Sequence, residues 1–140
     1  MLPAQKATPA FKRKLAILLV DDHVDTVLTL AAILRDEGHR VHTCADARQA
    51  VDLARRHGPD LCILDLVMPA KSGFDIAREL RAACLVPMLV ALSGALTGPD
   101  DEARARAAGF NYFIVKSSDS SELVGLIDRI AAADGPPAAA

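Results

Sequence analysis

The sequence predicts an α/β fold: a (βα)₅, doubly wound, open parallel sheet in the strand order 2-1-3-4-5. Two observations lead there. Apolar runs of four to six residues alternate with longer segments of helical period, without a break from residue 14 to residue 132. Such alternation forces parallel strands with helices on both faces. Four of the runs stop on polar residues: LAILLV (15–20) on Asp21-Asp22, LCIL (61–64) on Asp65, MLVAL (88–92) on Ser93 and NYFIV (111–115) on Lys116. In an open parallel sheet the carboxyl ends of the strands share one edge, where ligands bind. Right-handed crossovers with a single reversal of winding then give the order 2-1-3-4-5.

Each element has a local cause. Strand one, 15–20, is apolar throughout, as a strand covered on both faces should be. Helix one follows, with Val27, Leu30, Ala31 and Leu34 at i, i+3, i+4, i+7 and Gly38 as its stop. Strand two is 41–44. Asp46 and Gln49 predict a capped start for helix two, whose stripe is Ala47, Ala50, Val51 and Ala54. Gly58-Pro59 breaks it before strand three, 61–64. A loop through Met68-Pro69 leads to helix three, 72–83, and Pro87 opens strand four. Helix four, 100–108, has little to bury and is expected to be the least firmly packed. Gly109 ends it before strand five, 111–115. Asp119 and Glu122 predict a capping box for helix five, with Leu123, Ile127, Ile130 and Ala131 inward. Residues 1–13 and 133–140 read as flexible tails around one domain, 14–132.

Composition narrows the function. A chain of 140 residues reads as one domain. A net charge of −2 without a long basic run gives no reason to expect a nucleic-acid partner. Lys12-Arg13-Lys14 precedes an apolar run too short for a secretory leader, and no stretch matches a membrane span. A cytoplasmic location is expected. Cys44, Cys62 and Cys84 form no C-x-x-C pair and read as buried or partly buried free thiols. His39, His42 and His57 read as surface or loop residues. His23 could reach the rim of the site, but reads more simply as a helix-start residue.

The chemistry lies at the strand ends. In the expected order, strands one and three are neighbours, so Asp21, Asp22 and Asp65 converge. Crowded carboxylates repel unless a cation intervenes. Mg²⁺ suits them, since it takes one or two carboxylates, waters and phosphate oxygens. Asp22 and Asp65 are expected to bind it directly, Asp21 through water, with the Val67 carbonyl as a further ligand. Acidic loop residues that merely cap helix one would be the simpler account of Asp22. That account does not explain an Asp65 placed directly after a buried strand. Lys116 and Ser93 offer an ammonium and a hydroxyl to phosphoryl oxygens, and phosphoryl transfer needs mainly positioning and charge neutralisation. A nucleophilic Asp65 completes the set.

At this point the chain resembles the response-regulator receiver domains of two-component signalling, over about residues 14–132. The motifs are ILLVDDH, ILDLVMPAKSGFD, ALSGA and YFIVK. The resemblance implies a flavodoxin-like fold. That strand order is the family's own, so it is not independent evidence. The resemblance also implies phosphorylation at Asp65 with Mg²⁺, a switch hydroxyl at Ser93 and a rotating aromatic at Phe113. The implied donor is a sensor histidine kinase or a histidine phosphotransfer protein. The implied output is the face of helix four, strand five and helix five, with a homodimer through that face among the expectations. There Arg104, Arg106, Asp128 and Arg129 could pair across a dimer, although solvated helix faces are the plainer reading of each. Val67 and Ala95 lie two residues past Asp65 and Ser93 and cannot hold a hydrolytic water, which implies slow self-dephosphorylation. The family's Pro after the lysine, in a cis peptide, is here Ser117. A cis bond costs about 2.5–4 kcal/mol before a residue other than Pro. Either the bond is trans with a reshaped loop, or the strain is retained.

The leading expectation is therefore a single-domain response regulator or phosphorelay intermediate that phosphorylates and dephosphorylates itself and is not a turnover enzyme. A degenerate receiver acting as a phosphorylation-independent binding module is the alternative, as is a receiver excised from a hybrid kinase. A Mg²⁺ phosphatase would need a second carboxylate where Val67 stands. A dinucleotide-binding oxidoreductase would need G-x-G-x-x-G after strand one.

Overall fold

The computed structural model describes residues 12–117 and 119–133. Apart from Lys12, Arg13 and Ala133, the expected tails lie outside those residues. Five parallel strands form one sheet in the order β2-β1-β3-β4-β5, as expected. They are β1 (Ala16–Val20), β2 (Arg40–Cys44), β3 (Leu61–Asp65), β4 (Met88–Ser93) and β5 (Tyr112–Val115). The helices are α1 (Val24–Asp36), α2 (Ala50–His57), α3 (Gly73–Ala82), α4 (Pro99–Ala108) and α5 (Ser121–Ala132). No helix among the described residues is long and apolar enough to cross a membrane.

Strand side chains alternate between two cores. Ile17, Leu19, Leu61, Ile63, Val90, Leu92 and Ile114 pack with Val27, Leu30, Ala31 and Leu34 of α1 and with Leu123, Leu126, Ile127 and Ile130 of α5. Leu18, Val20, Cys62, Leu64, Leu89 and Ala91 face α2, α3 and α4. Because the pleat has a period of two, a run covered on both faces must be apolar at every position. β3 is accordingly buried at all five residues.

The helix starts differ from expectation in detail. Asp46 accepts from the Arg48 N–H, but the first turn, Ala47–Gln49, is 3₁₀ and no capping box forms there. At α5, Asp119 accepts from the Ser121 N–H, and Ser120, without a side-chain cap bond, stands at the N-cap. The capping box occurs at α3, where Ser72 and Asp75 bond each other's backbone. The S-x-x-D pattern at 72–75 is its signal in the sequence. In α4 the buried residue is Ala105, in line with the loose packing expected. Arg104 of that helix lies 4.1 Å over the Phe74 ring. Arg106 pairs with Glu102, and Asp128 with Lys12. Three of the four residues named as cross-dimer ion-pair candidates thus have partners within the chain.

Two surface assignments are corrected. Cys84 is exposed, at a positive φ of 61°, although Cys44 and Cys62 are buried as expected. His39 is buried, and its Nδ1 accepts the Leu15 N–H at 3.1 Å. That bond ties the entry of β1 to the turn before β2. His42, half-buried, stacks on the exposed His57 with ring centroids 3.6 Å apart.

Burial pushes the His39 imidazole below its ordinary pKa; the Asp128 and Glu37 charges oppose this only in part. The folded state therefore binds fewer protons than the unfolded one. His39's contribution to stability is full above the unfolded value of about 6.5 and is lost as pH falls through the lower folded value. Protonation at Nδ1 would also remove the acceptor for Leu15. Urea denaturation midpoints should fall from pH 7 to pH 5, and His39→Gln should flatten that decline. An equal slope in the variant would remove His39 as its source.

Candidate functional site

β1 and β3 are adjacent, with Val20 beside Leu64, so Asp21 and Asp65 leave the sheet side by side. Ser93 pairs with Val115 one strand further on, and Lys116 follows directly. The parallel register alone thus brings the strand-end residues to one edge. Asp21 and Asp65 are 1% and 4% exposed, and Ser93 is fully buried. Asp22 is half-buried and Lys116 partly buried.

Lys116 Nζ stands 2.7 Å from Asp21 Oδ2 and 3.3 Å from Asp65 Oδ2. Its reach across from β5, expected from the length of its arm, is therefore real. Asp65 Oδ1 accepts the Val67 N–H at 3.2 Å. Burial pushes the Asp65 carboxyl above its ordinary pKa, and the Asp21 charge adds to this, while Lys116 opposes both. Burial would raise Asp21 too, but Lys116 and the His23 contacts outweigh it and hold Asp21 low. Burial would lower Lys116, but the two carboxylates outweigh it and hold the ammonium above its usual value. One cation thus serves two buried anions, and charge remains in excess.

Asp21, Asp22, His23 and Asp65 each offer a ligand atom, all within 4.8 Å of one another. Asp22 Oδ1 is buried and accepts no hydrogen bond. Asp21 Oδ2 likewise has no aligned donor, since Lys116 meets it as an ion pair. Lys116 thus takes up Asp21 Oδ2, but a buried oxygen such as Asp22 Oδ1 is costly unless a cation takes it up. The donor set therefore fits a divalent ion. His23 was read as a helix-start residue, and it does stand at the N-cap of α1. Its ring, however, lies against the carboxylates, with Nδ1 3.0 Å from Asp21 Oδ1. An imidazole directly after an acidic pair was the signal available in the sequence.

Ser93 Oγ accepts the Leu96 N–H at 3.0 Å, which folds the β4–α4 loop back over the strand end. Phe113 is half-buried and packs against the core beneath α2, α3 and α4. Val67, 48% exposed, lies at the rim. The Lys116–Ser117 peptide is trans, since no described peptide bond is cis. Of the two alternatives for the departure at Ser117, the structure takes the trans loop. The Lys116 N–H donates to the Ser93 carbonyl at 2.7 Å, and Ser117 Oγ donates to the Asp119 carbonyl at 2.6 Å. A groove of about 440 Å³ lies between α1 and the β5–α5 loop; Lys116 lines it, but Asp21, Asp22 and Asp65 do not.

The family model for the response regulator receiver domain matches residues 17–128. The transcriptional regulatory protein PdtaR of Mycobacterium tuberculosis is 35% identical over 127 residues, covering 90% of this chain and 60% of that protein. The chain thus spans about three-fifths of that relative's length. Among solved structures, the chemotaxis protein CheY4 of Vibrio cholerae aligns with a TM-score of 0.77 at 26% identity, over 84% of this chain and 98% of that one. The signal receiver domain of a signal transduction histidine kinase from Syntrophus aciditrophicus aligns with a TM-score of 0.74, also at 26% identity, over 89% of this chain and 96% of that one. By fold, by strand-end residues and by sequence, the chain belongs to the response regulator receiver domains.

Proposed function

We propose that Asp65 accepts a phosphoryl group from the phosphohistidine of a sensor histidine kinase or a histidine phosphotransfer protein. One observation carries this reading. Asp65 is a buried carboxylate at a strand end, in contact with Lys116 and grouped with Asp21 and Asp22. In the step, an Asp65 oxygen attacks phosphorus, the P–N bond of the donor breaks, and the histidine nitrogen keeps the bonding pair. A divalent cation, Mg²⁺ in this reading, would neutralise phosphoryl oxygens. Asp21, Asp22, Asp65 and the Val67 carbonyl would hold it. Lys116 would follow the new oxygens, and the backbone N–H of Val67 would orient the acceptor carboxylate. Val24 at the start of α1, Leu28 one turn on and Val67 just past Asp65 are exposed apolar side chains, 57%, 61% and 48%, that suit a docked helix bearing the histidine.

Ser93 would give up Leu96 to bond the phosphoryl group, drawing the β4–α4 loop inward and opening room for Phe113. The loosely anchored α4 makes the α4–β5–α5 face the cheapest surface to change, for a target or a second copy to read. The chain acts here as a phosphorylated switch and not as a turnover enzyme.

Intact-mass measurement after incubation with Mg²⁺ and acetyl phosphate tests the chemistry. One added phosphoryl group, lost in Asp65→Ala, is the expected result. No mass gain in the folded wild type would favour a phosphorylation-independent binding module. Lifetime is a separate expectation. The Val67 side chain cannot orient an attacking water, so Val67→Asn should shorten the half-life of the acyl phosphate severalfold. An unchanged half-life would remove Val67 as the cause of slow hydrolysis.

A further inference from the structure

His23 has no role in the reading above. It is the N-cap of α1, yet its side chain caps nothing. Instead Nδ1 stands 3.0 Å from Asp21 Oδ1, 3.4 Å from Asp22 Oδ1 and 3.9 Å from Asp65 Oδ2. An octahedral dication with donors at about 2.0–2.1 Å has neighbouring donors about 3 Å apart and opposite donors about 4 Å apart. All three distances fall in that interval. Nδ1 thus stands where a donor would stand in the shell of one ion shared with the three carboxylates. Asp22 Oδ1, buried and without a hydrogen-bond partner, is an independent sign that the same place suits a cation.

We propose that His23 supplies an imidazole nitrogen to the acidic site, turning it into a mixed nitrogen–oxygen site that selects first-row transition dications over Mg²⁺. The inference rests on the carboxylates being a cation site and adds which cation they hold best. Mg²⁺ is a hard ion that prefers oxygen and keeps its waters, so it gains little from an imidazole. Imidazole suits iron, nickel, copper and zinc, whose affinities follow ligand type and the Irving–Williams order. The His23 side chain is 65% exposed, so it can turn without repacking a core. A neutral ring protonated at Nε2 presents its Nδ1 lone pair to the ion. In the other tautomer, Nδ1–H donates to Asp21 Oδ1, an arrangement a bound cation would replace.

Cobalt(II) is the probe, with the whole purified chain. Calorimetric titration should show Co²⁺ bound at least about tenfold more tightly than Mg²⁺. Proton NMR of the Co²⁺ form should show a hyperfine-shifted, solvent-exchangeable imidazole N–H. In His23→Phe that resonance should vanish and Co²⁺ affinity should fall about tenfold relative to Mg²⁺ affinity, bringing the two metals close together. His23→Gln, which offers an oxygen, should retain Mg²⁺ and lose the resonance. If both metals bind, Asp22→Asn abolishes binding, and His23→Phe leaves the Co²⁺-to-Mg²⁺ ratio unchanged, the role of His23 is overturned and the cation site stands. If neither metal binds the wild type, or binding survives Asp22→Asn, the cation site and the role of His23 fall together.

Discussion

Gly73→Ala should destabilise the fold by about 3 kcal/mol, the upper end of ordinary overpacking costs. Gly73 opens α3 directly behind the end of β3. A Cβ there would press into the Asp65 carbonyl oxygen, and it would lie 3.1 Å from the Asp65 carbonyl carbon and the Leu66 Cα. Every atom it meets is backbone, so no side chain can swing aside. Relief requires α3 to move off the strand end, weakening the Gly73 N–H bond to the Leu66 carbonyl, now 3.2 Å, and shifting Asp65. Phosphoryl uptake should fall with stability. Gly125→Ala is the matched control. Its nearest obstacle is the flexible Arg129 side chain at 3.7 Å, and alanine in place of a mid-helix glycine gains about 0.5–1 kcal/mol. Urea denaturation of the two variants should give opposite signs. A Gly73→Ala protein as stable as wild type would refute the close approach of α3 to β3.

Lys116→Met should cost about 3 kcal/mol without added metal, the low end for breaking a buried ion pair. The substitution leaves Asp21 and Asp65, 1% and 4% exposed, without the ammonium that now lies 2.7 Å and 3.3 Å away. The low end applies because burial and the Asp21 charge already raise the Asp65 carboxyl above its ordinary pKa, so uptake of a proton can relieve part of the repulsion. Two further measurements separate this cause from simple misfolding. Asp65→Asn in the same background should recover most of the loss, because one anion is gone. Saturating divalent cation should recover stability by mass action. If neither restores it, Lys116 is holding the β5–α5 loop and not balancing charge.

Much of this was legible in order along the chain. The alternation of apolar runs with helical stripes gave five strands and five helices, because a doubly covered strand and a one-faced helix bury different periodicities. Asp21, Asp65, Ser93 and Lys116 were legible as a group because a parallel sheet brings all carboxyl ends to one edge. The Asp119–Glu122 pair suggested a capping box at α5, but the helix instead begins after Ser120. His39 does lie in the turn before β2, but its burial was not legible, because nothing local shows that its ring accepts the Leu15 N–H, 24 positions away.

Read alone, the order of residues determined the class of fold and the gathering of Asp65 with its acidic neighbours, since these follow from short-range periodicity and from where each strand stops. Tertiary structure decided how the charges share one another. Lys116 crosses from β5 to two carboxylates on other strands, and the His23 ring turns back over the acidic cluster instead of capping α1. Those outcomes depend on distances between segments and on competition for a few buried partners. Neither quantity is encoded in the spacing of residues along the chain.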